Sequence, residues 1–245
     1  MPEYLYGRHA ILEALRAKLS IEEIQIAMGV HARGALDELM ALAKSSNVPV
    51  RGVARGELDR VARNHQGVVA RIGDYKYYEI ADLLAVAQER GEPAFLLMLD
   101  SVQDPQNFGT LLRTAEAVGV HGVVIAERRA VGVTGAVVKS SAGAVSHLKI
   151  ARVTNLSRTI DALKRKNVWI VGIENVPEAK EYARMDYTMA MALVLGSEGE
   201  GLGRLVREKC DFLVRLPMWG KVGSLNVAVA GSVVLYAAKV QRESK

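Results

Sequence analysis

The chain has 245 residues, half of them apolar and about a quarter charged, with three Phe and two Trp. These are the proportions of a folded globular protein, not a disordered or fibrous one. A single cysteine, Cys210, and the absence of any CxxC spacing exclude an intramolecular disulfide and leave zinc without a ligand set. The most apolar run, residues 225–238, is broken by Asn226 and Ser232 and is shorter than the ~18–20 residues of a membrane span. The start, Met1-Pro2-Glu3-Tyr4, lacks the basic-then-apolar pattern of a secretory signal. The cytoplasm is the expected compartment.

Net charge is +5 with a pI near 9.3, and the excess is uneven. Residues 1–75 are close to balanced, whereas 128–166 hold Arg128, Arg129, Lys139, Lys149, Arg152, Arg158, Lys164, Arg165 and Lys166 against one acid, Asp161. Composition alone leaves a solvated basic face and a phosphate-binding surface equally open.

The first segment reads as a small α/β unit. Ala10, Ile11, Ala14 and Leu15 share one side of a helix that follows Tyr6-Gly7-Arg8-His9. A short strand is expected at 24–27, and Leu36, Leu39, Met40 and Ala43 mark a second helix over 34–45. Further strands are expected at 48–50 and 67–72. Residues 76–93 form the linker candidate, a charged helix over 79–90 ending in Gly91-Glu92-Pro93.

Beyond Pro93 the rhythm becomes strand, helix, strand. Strands are expected at 95–100, 122–127, 147–153, 168–174, 191–196 and 212–217, with helices over 107–118, 135–144, 156–166, 202–210 and 224–241. Such alternation predicts an α/β fold with a mostly parallel sheet covered by helices on both faces. Ligands of these sheets gather at the carboxyl ends of the strands, which directs attention to the loops after Asp100, Gly196 and Pro217.

In the first of these loops, Asp100-Ser101-Val102-Gln103-Asp104-Pro105-Gln106-Asn107, Asn107 is suited to cap the following helix. Arg113 lies off that helix's apolar stripe, either paired with Glu116 at the surface or available for chemistry. The second loop, Gly196-Ser197-Glu198-Gly199-Glu200-Gly201-Leu202-Gly203, allows close backbone approach to a ligand, while its two acids disfavour a pyrophosphate. In the third, Leu216-Pro217-Met218-Trp219-Gly220-Lys221-Val222-Gly223-Ser224-Leu225-Asn226, Ser224 reads as the helix cap and Asn226 as a tolerated polar residue.

Together and in this order, the three loops resemble the three motifs of the SpoU (TrmH) branch of the SPOUT RNA methyltransferases. The resemblance covers 94–245, and residues 4–72 resemble the small RNA-binding, ribosomal-protein-like domain that many members carry in front. Domain order and Ala151-Arg152-Val153-Thr154-Asn155-Leu156 are most similar to the bacterial 23S ribosomal RNA guanosine 2'-O-methyltransferases. The resemblance implies an RNA substrate-binding domain over 1–75, a linker over 76–93, and a methyltransferase domain over 94–245 with a C-terminal trefoil knot, an exception to the rule that chains do not thread loops.

It also implies S-adenosylmethionine as cofactor, bound by Leu195, Gly196, Leu216, Met218, Ser224 and Leu225, with no metal. Asn107, Arg113, Glu198, Ser224 and Asn226 match the family's catalytic positions. The reaction implied is methyl transfer to a ribose 2'-hydroxyl of 23S ribosomal RNA by a homodimer, with Arg113 acting as base or as electrostatic stabiliser. A transfer RNA 2'-O-methyltransferase and a non-catalytic ribosome-assembly factor are the alternatives. A small-molecule enzyme is disfavoured by the basic run and the appended domain.

Overall fold

The structure is a computed structural model that describes residues 3–16, 19–30 and 33–244. Its contacts divide the chain into two compact units, Met1–Lys76 with Val133–His147, and Tyr77–Gly132 with Leu148–Lys245.

The first unit runs β1 (Glu3–Tyr6), α1 (Arg8–Arg16), β2 (Ile21–Ala27), α2 (Ala35–Ser45), β3 (Val50–Val53), α3 (Arg55–Val61) and β4 (Val68–Ile72). Its sheet has the order β1-β4-β2-β3, with β4 antiparallel to both neighbours and β2 parallel to β3. Helical periodicity accounts for the buried Ile11, Leu12, Ala14 and Leu15 of α1 and Leu36, Leu39 and Ala43 of α2. Met40, expected on the same stripe, lies on its flank and is exposed. The strand expected at 48–50 begins only at Val50, because Pro49 has no N–H to give a ladder.

The second unit opens with α4 (Ile80–Arg90), β5 (Phe95–Leu99), α5 (Pro105–Ala117) and β6 (Gly122–Ala126). The helix expected in the linker is α4, and it buries Leu83 and Ala87 in this unit's core. The next helix, α6 (Gly135–Ser140), falls in the stretch 133–147, which the sequence assigns to the methyltransferase domain but whose contacts group it with the first unit. There Gly135 lies so close under the Tyr4 carbonyl that a Cβ would sit 2.5 Å from it, and the Lys139 ammonium stands 4.5 Å from the Tyr6 ring centre.

The second unit resumes with β7 (Ile150–Val153), α7 (Leu156–Lys164), β8 (Trp169–Ile173), β9 (Lys180–Glu181), β10 (Met191–Leu195), α8 (Arg204–Glu208), β11 (Phe212–Arg215) and α9 (Val227–Glu243). Its seven strands are ordered β7-β6-β5-β10-β8-β11-β9, and every neighbouring pair is parallel. Alternate side chains serve opposite faces. Leu96, Met98, Val124, Ile170, Ala192 and Val194 pack with α4, α7 and α8. Leu195 faces the other way, against α5 and α9, where a Cβ on Gly231 would come within 3.0 Å of both Leu111 and Leu195. At the end of α9 the Arg242 guanidinium donates to the carbonyls of Pro93, Ala94, Tyr187 and Met189 and lies 4.6 Å from the Phe95 ring centre. Burial lowers its pKa to about 10, and this clamp fixes α9 to the amino end of β5.

Candidate active site

The carboxyl ends of β8, β10 and β11 open onto a cavity of about 340 Å3, within the range of small-molecule sites. Leu195, Gly196, Leu216, Met218, Ser224 and Leu225 all line it. The glycine loop after β10 folds back on itself through paired backbone bonds between Ser197 and Gly201. Gly196 permits this, since a Cβ there would lie 2.1 Å from the Gly201 backbone. Asp100, buried at the end of β5, holds the far side of the loop by accepting from the Gly203 N–H at 2.7 Å.

Two helix starts differ from expectation, and both differences matter for chemistry. On α5 the cap is Asp104, whose side chain accepts from the Asn107 N–H at 2.8 Å. Pro105, with its preset φ, takes the first helical position. Asn107 therefore stands in the first turn with its side chain unspent on capping. On α9 the cap is Asn226, accepting from the Ala228 and Val229 N–H groups at 2.9 and 3.3 Å, while Ser224 lies outside the helix and lines the cavity. Asn competes equally with Ser for a cap.

Those corrections bring three side chains together. Asn107 Nδ2 donates to one Glu198 oxygen at 3.2 Å, and Asn226 Nδ2 donates to the other Glu198 oxygen at 2.5 Å and to Asn107 Oδ1 at 2.9 Å. Glu198 also lines a second, adjoining cavity of about 380 Å3 with Asn107 and residues 101–104. The cluster thus stands between the two. Arg113 does not join it. Six residues beyond Asn107 on α5, it is turned ~240° around the helix and is exposed, and it lines neither cavity. Among the described residues it makes no pair with Glu116.

The sequence reading passed over the loop after β8. Ile173, Glu174, Asn175 and Val176 line the first cavity, and Asn175 Nδ2 donates to the Gly223 carbonyl at 3.0 Å. Arg215 also lines it, with a buried Nε that has no partner among the described residues. Only the adjacency of β8 to both β10 and β11 could have revealed this loop, and no local motif encodes that adjacency. The basic run is also dispersed. Arg128, Arg129 and Arg158 follow the carboxyl ends of β6 and β7, residues 164–166 end α7 near the amino ends of the strands, and Lys139 belongs to the first unit.

Residues 94–236 match the SpoU rRNA Methylase family, and residues 4–78 match the RNA 2'-O ribose methyltransferase substrate-binding domain. The chain belongs to the SpoU methylase family. This SpoU protein is 44% identical over 235 residues to YacO of Bacillus subtilis, a protein assigned to the TrmH family of tRNA/rRNA methyltransferases, covering 96% of this chain and 94% of that one. It shares the fold of the SpoU methyltransferase AviRb from Streptomyces viridochromogenes at a TM-score of 0.82 and 24% identity, covering 99% and 90% of the two chains. AviRb has also been solved in complex with AdoMet. A solved RNA 2'-O ribose methyltransferase is similar over 98% of this chain and 88% of its own, with a TM-score of 0.75 and 26% identity.

Proposed function

We propose that this SpoU protein transfers a methyl group from S-adenosylmethionine to the ribose 2'-hydroxyl of a guanosine in 23S ribosomal RNA, as a cytoplasmic homodimer. The observation that carries this reading is the Asn107–Glu198–Asn226 cluster at the edge of the glycine-lined cavity. The cavity's character suits the cofactor. Gly196 leaves a cradle that a Cβ would fill, Leu195, Leu216, Met218 and Leu225 supply apolar walls, and Arg215 keeps a donor unused among the described residues. When bound, S-adenosylmethionine supplies an electrophilic methyl on a sulfonium that leaves readily.

The chain's own residues then have distinct work. The 2'-hydroxyl must lose its proton as it attacks, and the proton passes to the neighbouring RNA phosphate and from there to solvent. Arg113, through its planar guanidinium fork, holds a neighbouring phosphate and stabilises the developing alkoxide. Asn226 has its amide committed to Glu198 and Asn107 and its oxygen to the cap of α9, so it acts as a positioning residue. Glu198 fixes the glycine loop to α5, the helix that carries Arg113.

A trefoil knot and a dimer belong to the same reading. The order β10-β8-β11 and the Asn175–Gly223 bond, which ties the loop after β8 to the loop after β11, support the knot. Val229, Val233, Tyr236 and Val240 form an exposed stripe along α9, beside α5. A second copy seated there accounts for a catalytic arginine that lies outside its own cavity. The test is transfer of labelled methyl to 23S ribosomal RNA, 16S ribosomal RNA and bulk transfer RNA, with nuclease mapping. One 2'-O-methylguanosine in 23S RNA is expected. Label in transfer RNA alone would move the substrate, and no label in any RNA would overturn the reading.

A further inference from the structure

Trp219 leaves 91% of its surface exposed, more than any other large apolar side chain among the described residues. It sits in the loop between β11 and α9, of which Leu216, Met218, Gly223, Ser224 and Leu225 line the cavity while the tip, residues 219–222, does not. The indole therefore stands on the rim, immediately beside the proposed methyl-donor site. A Cβ added at Gly220 or Gly223 would meet nothing within 4 Å, so the Cβ side of the loop is open on either side of Lys221 among the described residues. From Phe212 to Arg242 the chain has no acid, and its cations are Arg215, Lys221, Lys239 and Arg242.

We propose that Trp219 is a stacking platform for a nucleobase next to the ribose being methylated, with Lys221 on an adjoining phosphate. The inference rests on the RNA-methylation reading above. A 2'-hydroxyl presented to the cavity places its flanking nucleotides over this rim. An exposed π-face beside a cation, with no acid nearby, suits a base and its phosphate. Coverage of Trp219 by a second copy is the competing occupancy, and it is disfavoured by the charge. Where this loop meets its own copy across a two-fold axis, its acid-free sequence offers Lys221 no partner.

The chain's two tryptophans allow a direct test. Trp169, packed against Phe212 at the amino end of β8, lies outside the cavity, so a W169F enzyme reports Trp219 alone. Titration with a 23S ribosomal RNA transcript should quench its fluorescence, whereas heparin, a polyanion without bases, should not. W219A should raise KM for RNA about 5- to 150-fold, the ratio given by ~1–3 kcal/mol of base stacking. Its kcat and its Kd for S-adenosylmethionine should stay within twofold of wild type, and W219F should recover most of the loss. Equal quenching by heparin, an unchanged KM, or a W219A protein that sediments as a smaller species would each overturn the proposal. Because the fluorescence titration needs no turnover, absence of methyl transfer by the wild type would overturn the activity while leaving this binding result to be read independently.

Discussion

Asn226 donates to Glu198 through the same side chain whose oxygen caps helix α9. A break in the cluster is therefore also a break at the start of the helix, and the two effects can be separated by substitution. Asp caps as well as Asn but cannot donate, and it places a second carboxylate against Glu198. N226D should keep the urea midpoint near that of wild type apart from this repulsion and lose methyl transfer by ~100-fold or more, the scale of one preorganised polar group. N226A should lose the activity and, in addition, about 1 kcal/mol of cap. Wild-type turnover in N226D would show that the cluster does not position the reacting groups.

Arg113 is exposed and makes no hydrogen bond or ion pair among the described residues, so its removal should cost no stability. R113A should melt at the wild-type temperature, bind S-adenosylmethionine with unchanged affinity by calorimetry, and turn over ~10²–10³-fold more slowly. R113K, which keeps the charge but not the planar fork, should recover only part of the rate. Mixing R113A and N226D subunits should restore partial activity if each arginine serves its partner's cavity, because one of the two sites in the mixed dimer is then intact. If Arg113 works within its own subunit, mixing restores nothing.

Gly196 leaves no room for a side chain. An added Cβ would meet the Gly201 carbon and oxygen at 2.1 Å, and these are backbone atoms already engaged with Ser197. G196A should lower stability by the ~1–3 kcal/mol typical of overpacking and open the loop that Glu198 anchors. Calorimetry should then detect no S-adenosylmethionine binding at concentrations that saturate the wild type.

Helical periodicity, short apolar runs and turn residues made the parallel sheet and its helices legible in the sequence, since Leu111 falls on the apolar stripe of α5 and β10 is an unbroken apolar run buried on both faces. The cavity-lining residues of the glycine loop and of the loop after Pro217 were named through the resemblance to the SpoU motifs, the residue types alone having pointed only to the loops. Other features were not legible. The caps of α5 and α9 were misplaced because Asp104 and Asn107, like Ser224 and Asn226, are rival cap residues two or three positions apart, and propensity does not rank them. The loop at Glu174 and Asn175, and the grouping of α6 with the first unit, depend on long-range adjacency, which no local pattern carries. β1 was also missed, because Tyr4, Leu5 and Tyr6 offer large apolar side chains to both faces and show no alternation.

His121 supplies a pH dependence at the end of β5 remote from the cluster. It is buried, its Nδ1 accepts from the Phe95 N–H at 2.9 Å, and its Nε2 lies 3.0 Å from Glu92, so the neutral ring carries its proton on Nε2. Burial lowers its pKa below the usual histidine value, with Arg90 and Arg242 adding to that effect and Glu92 opposing it. The unfolded chain takes up this proton near pH ~6.5, before the folded one does. The associated stability is therefore complete above that pH and declines as pH falls from it toward the lower folded pKa. Urea midpoints measured from pH 7.5 to 5 should fall over this interval. In H121N, whose amide oxygen can still accept from Phe95 but cannot titrate, that part of the slope should be absent. An identical slope in H121N would assign the acid sensitivity to other groups.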